Sequence, residues 1–145
     1  MVACVPTGRL VVGVDDSLNS LAALRRAAWS ADRRQAELEI VHVIPEDSDA
    51  RALEAADRDL AALVSATLSA GLTVPVRRNV VRGEPGEVLA RLSAEAELLV
   101  IGACVNSERR GVFSGDVARV CLRNAACPVD ICADHSAAAG SRGPE

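Results

Sequence analysis

The sequence predicts an α/β protein with an open parallel sheet and helices on both faces, a Rossmann-like arrangement. Short apolar segments alternate with longer amphipathic ones along the chain, and helices that separate parallel strands cross over on the faces of the sheet. Between Leu98 and Ala133, an apolar segment, a glycine, a polar loop, an amphipathic segment and a second apolar segment follow one another. Sheets of this class bind ligands at the carboxyl ends of their strands, so a binding site is expected in this stretch.

Two strands and two helices are predicted in the first half of the chain. The apolar segments Arg9–Val14 and Glu37–Ile44 are the first two strands. Leu18–Arg34 is predicted as a helix because apolar residues at helical spacing share one face. Those residues are Leu21, Leu24, Ala28 and Ala31. The alanine- and leucine-rich segment Asp47–Ala70 is the second helix, and Gly71 follows it, as glycine often follows a helix.

Three further strands and two further helices are predicted in the second half. In chain order they are a strand at Val74–Val81, a helix at Glu84–Glu95, a strand at Leu98–Ile101, a helix at Gly115–Asn124 and a strand at Val129–Ala133. Pro85 is compatible with the first turn of its helix. Gly102 is expected to end the fourth strand at a sharp turn, because glycine accepts backbone conformations that strain other residues.

One domain accounts for most of the chain. A length of 145 residues is usual for a single domain with one good core. We assign residues 9–133 to that domain and residues 1–8 to a short N-terminal extension. Residues 134–145 are small, polar and contain Gly and Pro, so a disordered tail is expected there. The only aromatic residues are Trp29 and Phe113, and the core must therefore be built from Ala, Val, Leu and Ile.

The charge balance argues against several functional classes. The formal net charge is −4, so we expect no binding to nucleic acid or to an anionic membrane. No segment is apolar for the length of a membrane span, and the first residues lack the pattern of a secretory signal. The expected location is the cytoplasm. All sixteen basic residues are arginine, which we interpret, with the abundant alanine, as the coding bias of a GC-rich bacterial genome.

Three segments resemble the universal stress protein family, whose domain is termed UspA-like. Leu10–Ser17 resembles its first strand, which ends in an aspartate and a nearby serine, and Ile40–Pro45 resembles its second strand. Gly102, the following loop, Gly115 and the segment Ala126–Val129 resemble its C-terminal part. The similarity covers roughly residues 8–133 in the right order. It implies a sheet of strand order 3-2-1-4-5, a stress-responsive regulatory or protective role, and a homodimer as the usual assembly.

Nucleotide-binding members of this family carry a loop of the form G-x-x-G-x9-G-[S/T], and this chain departs from it twice. Gly102 matches the first glycine and Gly115 the third. Val105 stands at the second glycine and Asp116 at the hydroxyl residue. A β-branched valine resists positive φ and adds bulk where the backbone should face phosphate. Asp116 replaces a donor by a negatively charged acceptor, and each like-charge pair at ~4 Å costs about 4 kcal/mol at an effective dielectric constant of about 20, before screening.

These departures predict a degraded nucleotide site in a protein that acts through contacts with other proteins, without a firmly predicted cofactor. Arg109 and Arg110 in the loop offer an alternative, a stress sensor that binds ATP or AMP through an altered phosphate loop. Such arginines beside Glu108 more often form a solvated charge cluster. A slow nucleotide hydrolase is the least favoured alternative. The sequence does not identify the protein partner.

Two further residues match adenine contacts of the nucleotide-binding relatives. Asp15 matches the aspartate at the end of the first strand, and Val43 matches a residue that lines the adenine pocket. Asp15 can equally cap the helix that follows, as can Asp16 and Ser17. Packing in a buried parallel strand is a sufficient role for Val43. For Asp15 the sequence leaves both interpretations open.

The sequence offers no catalytic or metal-binding arrangement. It contains no lysine for a phosphate loop and no Ser/His/Asp grouping, so we do not expect an enzyme. The five cysteines include no Cys-x-x-Cys pair, and no metal site is predicted. We interpret them as small buried hydrophobes in a reducing compartment, with Cys104 in the loop as the one candidate for redox sensing. His42 in its apolar strand is interpreted as a hydrogen-bonded core residue.

The last strand is expected to lie at an edge of the sheet and to form the homodimer. The segment from Val129 to Cys132 is a short apolar strand after Pro128, and an unpaired edge must be covered, blunted or paired. Pairing with the same strand of a second copy gives a two-fold contact. Asp130 complicates this assembly, because like charges across the axis repel. The same residue could instead protect the edge and keep the protein monomeric.

Overall fold

Five strands and four α-helices alternate along the residues described by the computed structural model, which are 8–15, 18–68, 72–103 and 115–133. The strands are β1 (Arg9–Val14), β2 (Glu37–Ile44), β3 (Val76–Arg82), β4 (Leu98–Ala103) and β5 (Val129–Ala133). The helices are α1 (Leu18–Arg34), α2 (Ala50–Thr67), α3 (Pro85–Leu92) and α4 (Gly115–Asn124), and a 3₁₀ turn at Ser93–Glu95 follows α3.

The strands form one parallel sheet of order β3-β2-β1-β4-β5, as predicted. The central strand β1 pairs with β2 on one side and with β4 on the other. Val14 lies opposite His42, and Gly13 lies opposite Ile101. The carboxyl ends of these three strands therefore meet at one edge of the sheet. The strand order reverses between β1 and β4, which is where open α/β sheets bind ligands.

Each face of the sheet is covered by two helices, which confirms the predicted arrangement. Successive strand residues point to opposite faces. Leu10 and Val12 of β1 pack in a core with residues of α1 and α2, whereas Val11 packs in a second core with residues of α3 and α4. The buried hydrophobic residues of both cores are Leu, Ile, Val and Ala with a single cysteine, Cys121. The expectation of an aliphatic core is thus confirmed for the described residues.

Several element boundaries differ from the prediction for local reasons. The second helix was expected over Asp47–Ala70, but α2 begins at Ala50 because the Asp49 side chain accepts the Ala52 N–H at 2.9 Å and caps it. The strand β3 begins after Pro75, which has no N–H to donate to a ladder. The third helix is divided into α3 and the 3₁₀ turn.

The turn predicted at Gly102 is wrong. The strand β4 continues through Gly102 to Ala103, and Gly102 lies opposite Cys132 of β5. Because β5 runs beside β4 as far as Ala133, it supplies ladder partners for two more residues than the apolar segment suggested. The predicted N-terminal extension and tail lie almost wholly outside the described residues and stay predictions, as does the domain boundary itself.

Gly83 joins β3 to α3 in a conformation that suits only glycine. Its φ is +144°, and a Cβ there would lie 2.8 Å from Val88 Cγ2. We expect Gly83→Ala to lower the free energy of unfolding by about 1–3 kcal/mol, because this backbone region strains any L side chain. Urea denaturation measures the change.

Gly86→Ala is the matched control, because Gly86 has no positive φ and its Cβ would meet side chains alone, Val120 Cβ and Cγ1 at 2.9 Å and Glu84 Oε1 at 3.3 Å. Adding Val120→Ala removes Cγ1 but keeps Cβ, and it should therefore recover part of the stability at position 86. Adding Val88→Ala should recover none at position 83, and a recovery there would show that crowding, not backbone strain, makes the glycine necessary.

Candidate functional site

The carboxyl edge of the sheet brings the predicted site residues together. Asp15 directly follows β1, Val43 is the next-to-last residue of β2, and Gly102 holds the same place in β4. These strands are neighbours, and their register places the three residues at one edge. Gly115 is the first residue of α4, which packs beside β4 and β5. The order of elements around the predicted site is therefore the one that the sequence indicated.

Asp15 is fixed by the first turn of α1. Its side chain is 7% exposed, and Ser20 is fully buried. The Ser20 hydroxyl accepts the Asp15 N–H at 2.6 Å and donates to Asp15 Oδ1 at 2.7 Å. This reciprocal pair ties the end of β1 to α1, as expected for a residue that organises the helix start. This bond does not test the adenine-contact interpretation, because Asp15 also lines a cavity in which a ligand could reach it.

That cavity has a volume of about 580 Å³ and lies between α1 and α2 beside the ends of β1 and β2. Val14, Asp15 and His42 contribute from the strands, and Leu21 contributes from α1. The remaining lining comes from one face of α2, which carries Ala52, Ala55, Ala56, Asp59, Leu60 and Leu63. Alanine occupies less volume than the leucine further along this face, so the cavity opens at the N-terminal half of α2. Its wall is mainly apolar, with Asp15, His42 and Asp59 as its ionisable groups.

His42 is held in one orientation by the neighbouring strand. Its Nδ1 lies 2.9 Å from the Val14 carbonyl oxygen. A carbonyl only accepts, so Nδ1 carries the proton of this bond, and in the neutral ring Nε2 is left as an acceptor. The predicted hydrogen bond of His42 is confirmed. The sequence analysis missed that its half-buried ring lines a cavity, although Leu38, Ile40 and His42 alternate along β2 and so share the face that α1 and α2 cover.

Val43 points to the opposite face of the sheet. Its side chain is 9% exposed and packs in the second core with Val88 and Leu89 of α3. Packing therefore accounts for this residue, and only its backbone shares the edge with Asp15. The adenine-contact interpretation of Val43 stays a prediction.

Much of the predicted phosphate loop lies outside the described residues. This applies to Cys104, Val105, Arg109 and Arg110, and also to the proposed helix caps Asp16 and Ser17. The backbone of Asp116 lies in the first turn of α4, immediately after Gly115. The sequence match of Gly115 to a helix start is thus confirmed in its backbone, while the contacts of the loop are not tested.

The cysteines in the described part of the chain are protonated and free. Burial, with a smaller contribution from the nearby Glu84 charge, raises the pKa of the Cys121 thiol from 9.0 to about 11. Burial also raises the pKa of Cys127 and of Cys132. Thiolates are the reactive form. Cys121 is a small buried hydrophobe, as expected, whereas Cys127 and Cys132 are only partly buried and pack against the margins of the two cores. The same residues 8–15, 18–68, 72–103 and 115–133 contain no group of three His, Cys, Asp or Glu side chains that could hold a metal ion.

Comparison with known proteins identifies the family. The model of the universal stress protein family matches residues 6–132. Two universal stress proteins from strains of Mycobacterium tuberculosis are 32% identical to this chain over 131 residues, which cover 84% of this chain and 47% of theirs. The chain belongs to the universal stress protein family, and it spans about half the length of these two relatives.

Solved structures agree with this assignment. UspA from Lactobacillus plantarum has the same fold, with a TM-score of 0.66 at 22% identity over 88% of this chain and 99% of its own. A universal stress protein from Archaeoglobus fulgidus in complex with dAMP has a TM-score of 0.68 at 25% identity, over 88% and 98%. Another family member, in complex with cAMP, has a TM-score of 0.62 at 26% identity, over 86% and 94%. Among the helices of the described residues, none is both long and apolar enough to span a membrane.

The dependence of the folding stability on alkaline pH should reflect the ionisation of the cysteine thiols. The chain has neither lysine nor tyrosine, so between about pH 8.5 and 11 only thiols and the α-amino group titrate. The unfolded chain releases the Cys121 proton first, since folding raises that pKa to about 11. Stability is therefore complete below the unfolded pKa and falls as the pH rises through the folded one.

We expect a loss of roughly 2 kcal/mol from Cys121 by about pH 11, given ~1.4 kcal/mol per pKa unit and a folded thiol that is half titrated at that pH. Urea denaturation at a series of pH values measures it, and Cys121→Ala should flatten the decline. Cys127→Ala is the control at a partly exposed thiol and should change the slope less. If the stability of Cys121→Ala fell with pH as steeply as that of the parent protein, Cys121 would not be the source of the alkaline loss of stability.

Proposed function

We propose that this protein is a non-catalytic, stress-responsive regulator that acts through contact with another protein and whose nucleotide site no longer holds ATP. The observation that supports this most directly is the place of Asp116. Its backbone lies in the first turn of α4, immediately after Gly115, at the position where the loop motif of nucleotide-binding family members has a hydroxyl residue. We also propose a cytoplasmic location, which agrees with the free thiols of Cys121, Cys127 and Cys132.

A carboxylate in this turn disfavours a triphosphate. The amides at a helix N-terminus carry partial positive charge and bind anions. A carboxylate in the first turn draws on that same partial charge, and it adds a repulsion of about 4 kcal/mol per like-charge pair at ~4 Å before screening. ATP brings several negative charges to such a site, so the repulsion is repeated for each phosphate group within reach. Val105 adds bulk where the family loop has glycine.

The described polar groups around the cavity also favour a binding role. Asp15 Oδ1 is engaged by Ser20, and His42 Nδ1 by Val14. These bonds fix the two side chains to the scaffold. A general base and its nucleophile must be within hydrogen-bond reach of each other, and neither of these bonds joins a base to a nucleophilic side chain that faces the cavity.

A second candidate function is the binding of a nucleoside monophosphate of the AMP type. The two solved relatives at 25% and 26% identity are complexes with dAMP and cAMP. One phosphate group places less negative charge beside Asp116 than three do, so the altered loop discriminates against ATP more strongly than against AMP. The apolar cavity beside Asp15 and His42 has room of about 580 Å³, in the range of small-molecule sites.

Titration calorimetry with ATP and Mg²⁺ tests the first proposal. We expect the unmodified protein to bind ATP more weakly than about 10 μM, and Val105→Gly combined with Asp116→Ser to bind at least about tenfold more tightly, since this removes one like charge and one bulky side chain. Asp47→Ser, at an exposed turn residue, is the matched control for net charge and should leave ATP binding unchanged.

The same titration with AMP and cAMP separates the two candidates. Micromolar binding of either ligand by the unmodified protein, with weak ATP binding, would favour the sensor. Sub-micromolar ATP binding would contradict both proposals and would assign a compensating role to the loop arginines.

We also propose that two copies pair through β5. The sheet has two edges, and the β3 edge carries three arginines, Arg77, Arg78 and Arg82, which blunt it against pairing. The β5 edge carries one charge, Asp130, and Arg26 of α1 pairs with it at 2.5 Å. The repulsion expected between two copies of Asp130 is therefore offset within each copy. This favours β5 as the edge that pairs.

Light scattering at micromolar concentration tests the dimer. We expect the unmodified protein to be a dimer and Val129→Asp with Ile131→Asp to be a monomer, because charges facing each other across paired strands repel. Val76→Asp on the β3 edge, where Val76 is 39% exposed, is the matched control and should stay dimeric.

Val129 and Ile131 also pack against the second core, so a milder change provides an independent test. Arg26→Ala leaves Asp130 unpaired and should weaken the dimer, and Asp130→Asn in the same chain should restore it. A monomeric parent protein would instead assign Asp130 to protection of the edge.

A further inference from the structure

A second hollow lies at the other end of the α1–α2 pair. Its volume is about 320 Å³, and it lies between α1 and the residues that end and follow α2. Its lining includes Arg25, Ala28, Trp29, Asp32, Leu68 and Leu72; we name it the Trp29 groove. Leu21 lines the larger cavity and precedes Trp29 by two turns of α1, a distance of about 12 Å along the helix. The groove is therefore separate from the site at the carboxyl edge.

The groove joins an exposed indole to an apolar floor. Trp29 is 61% exposed, although it is the only tryptophan of a chain with almost no aromatic residues. Leu68 and Leu72 are half-buried and pack against the first core, so the floor is continuous with the interior. A large apolar side chain in water beside such a floor is a feature of surfaces that bind another protein. Tryptophan and arginine are also the residues most enriched at the energetic centres of interfaces.

Positive charge surrounds this indole. The helix α1 contains four arginines and one aspartate, in a chain whose net charge is −4. Two of these arginines are used elsewhere, since Arg26 pairs with Asp130 and Arg34 with Glu97. Among the described residues, Arg25 and Arg33 have no such carboxylate partner within 4.0 Å. Arg25, in the groove lining, and Arg33, over the indole, are therefore not engaged in an ion pair with another described residue.

One carboxylate at the rim, Asp32, offsets part of this charge, so Arg25, Arg33 and Asp32 together leave one positive charge beside the groove. The Asp32 carboxylate already accepts from the Thr73 hydroxyl at 2.7 Å and from the Thr73 N–H at 3.4 Å. The Arg33 guanidinium lies over the Trp29 ring, 4.8 Å from its centre, within cation–π range. This contact between residues four apart on a helix also holds the indole in place. An aromatic surface and a positive charge are thus presented together.

We propose that the Trp29 groove docks an acidic segment of a partner protein that carries an apolar anchor side chain. The anchor packs on Leu68 and Leu72 beside the indole, and acidic side chains on either side of it pair with Arg25 and Arg33. Charge complementarity selects this occupant, because two guanidinium groups with no carboxylate partner among the described residues lie beside the apolar floor and outnumber the one carboxylate there, Asp32. The inference rests on the proposed function only in requiring a protein partner, and it does not depend on how the nucleotide site behaves.

The intrinsic fluorescence of the protein provides a direct test. With one tryptophan and no tyrosine, emission excited in the indole band comes from Trp29 in the groove. The probes are three short peptides, which alternate Glu with Leu, Lys with Leu, and Glu with Ser. We expect the Glu–Leu peptide to shift the emission to the blue and to saturate, and the other two to bind at least about tenfold more weakly.

Charge-reversal variants identify the site. Arg25→Glu with Arg33→Glu should weaken binding of the Glu–Leu peptide at least tenfold. Arg91→Glu with Arg123→Glu, at two exposed arginines of α3 and α4, changes the net charge by the same amount and should not. Trp29→Ala, followed by calorimetry, should also weaken it. Equal binding of all three peptides, or full binding by Arg25→Glu with Arg33→Glu, would overturn the proposal.

Two further measurements separate this proposal from the others. A shift of the Trp29 emission with protein concentration alone, without peptide, would make a second copy the occupant and would overturn it. Nucleotide titrations of Arg25→Glu with Arg33→Glu should match those of the parent protein. The peptide experiment and the nucleotide titration can therefore fail independently of each other.

Discussion

The structure depends on the burial of β1, which is paired along both edges and covered on both faces. Leu10, Val11 and Val12 have no exposed surface, and β1 pairs with β2 on one side and with β4 on the other. The helix α1, which connects β1 to β2, and the helix α3, which leads into β4, lie on opposite faces of the sheet. The strand β1 therefore ends where the connections on its two sides separate. Asp15 is the first residue beyond the ladder. It is too buried to be satisfied by solvent alone, and Ser20 supplies a donor and an acceptor to it. A local hydrogen bond thus follows from the topology.

The fold could be predicted because the sequence patterns that indicate its strands and helices are local. The errors occur where an element's length or packing depends on a neighbouring element. Apolar segments and helical periodicity determined the elements and, with the family resemblance, their order. The length of β4 was underestimated because β5 supplies partners for Gly102 and Ala103, and no property of that segment alone contains this information. The larger cavity was missed for a similar reason. Three alanines of α2 face His42 across the layer, and the empty volume appears only when the helix and the strand are packed together. The polar loop gave the clearest functional signal in the sequence, since its departures from the family motif concern the identity of residues rather than their geometry.

The exclusive use of arginine affects both edges of the sheet. A guanidinium group can bind a carboxylate and still cover apolar surface with its stem. On β3, Arg78 reaches Asp57 of α2 at 2.8 Å and Arg77 reaches Glu37 of β2 at 3.5 Å. These exposed pairs contribute little to stability, about 0–1 kcal/mol each, but they place charge along that edge. On β5 the single charge, Asp130, is turned back to α1 by its pair with Arg26. The two edges of one sheet are therefore chemically unlike.

The helix α1 connects the three surfaces to which we assign functions. Its first turn holds Asp15 through Ser20, its middle holds β5 through Arg26, and its last turns carry the Trp29 groove. Rigid movement of α1 would couple them, but Ala23, Leu24 and Ala27 on its inner face have no exposed surface, and close packing resists displacement. A ligand could move α1 only if it bound one arrangement of the helix more tightly than another. Since α1 is packed closely against β1 and β4, we expect occupation of one surface to leave the other two unchanged.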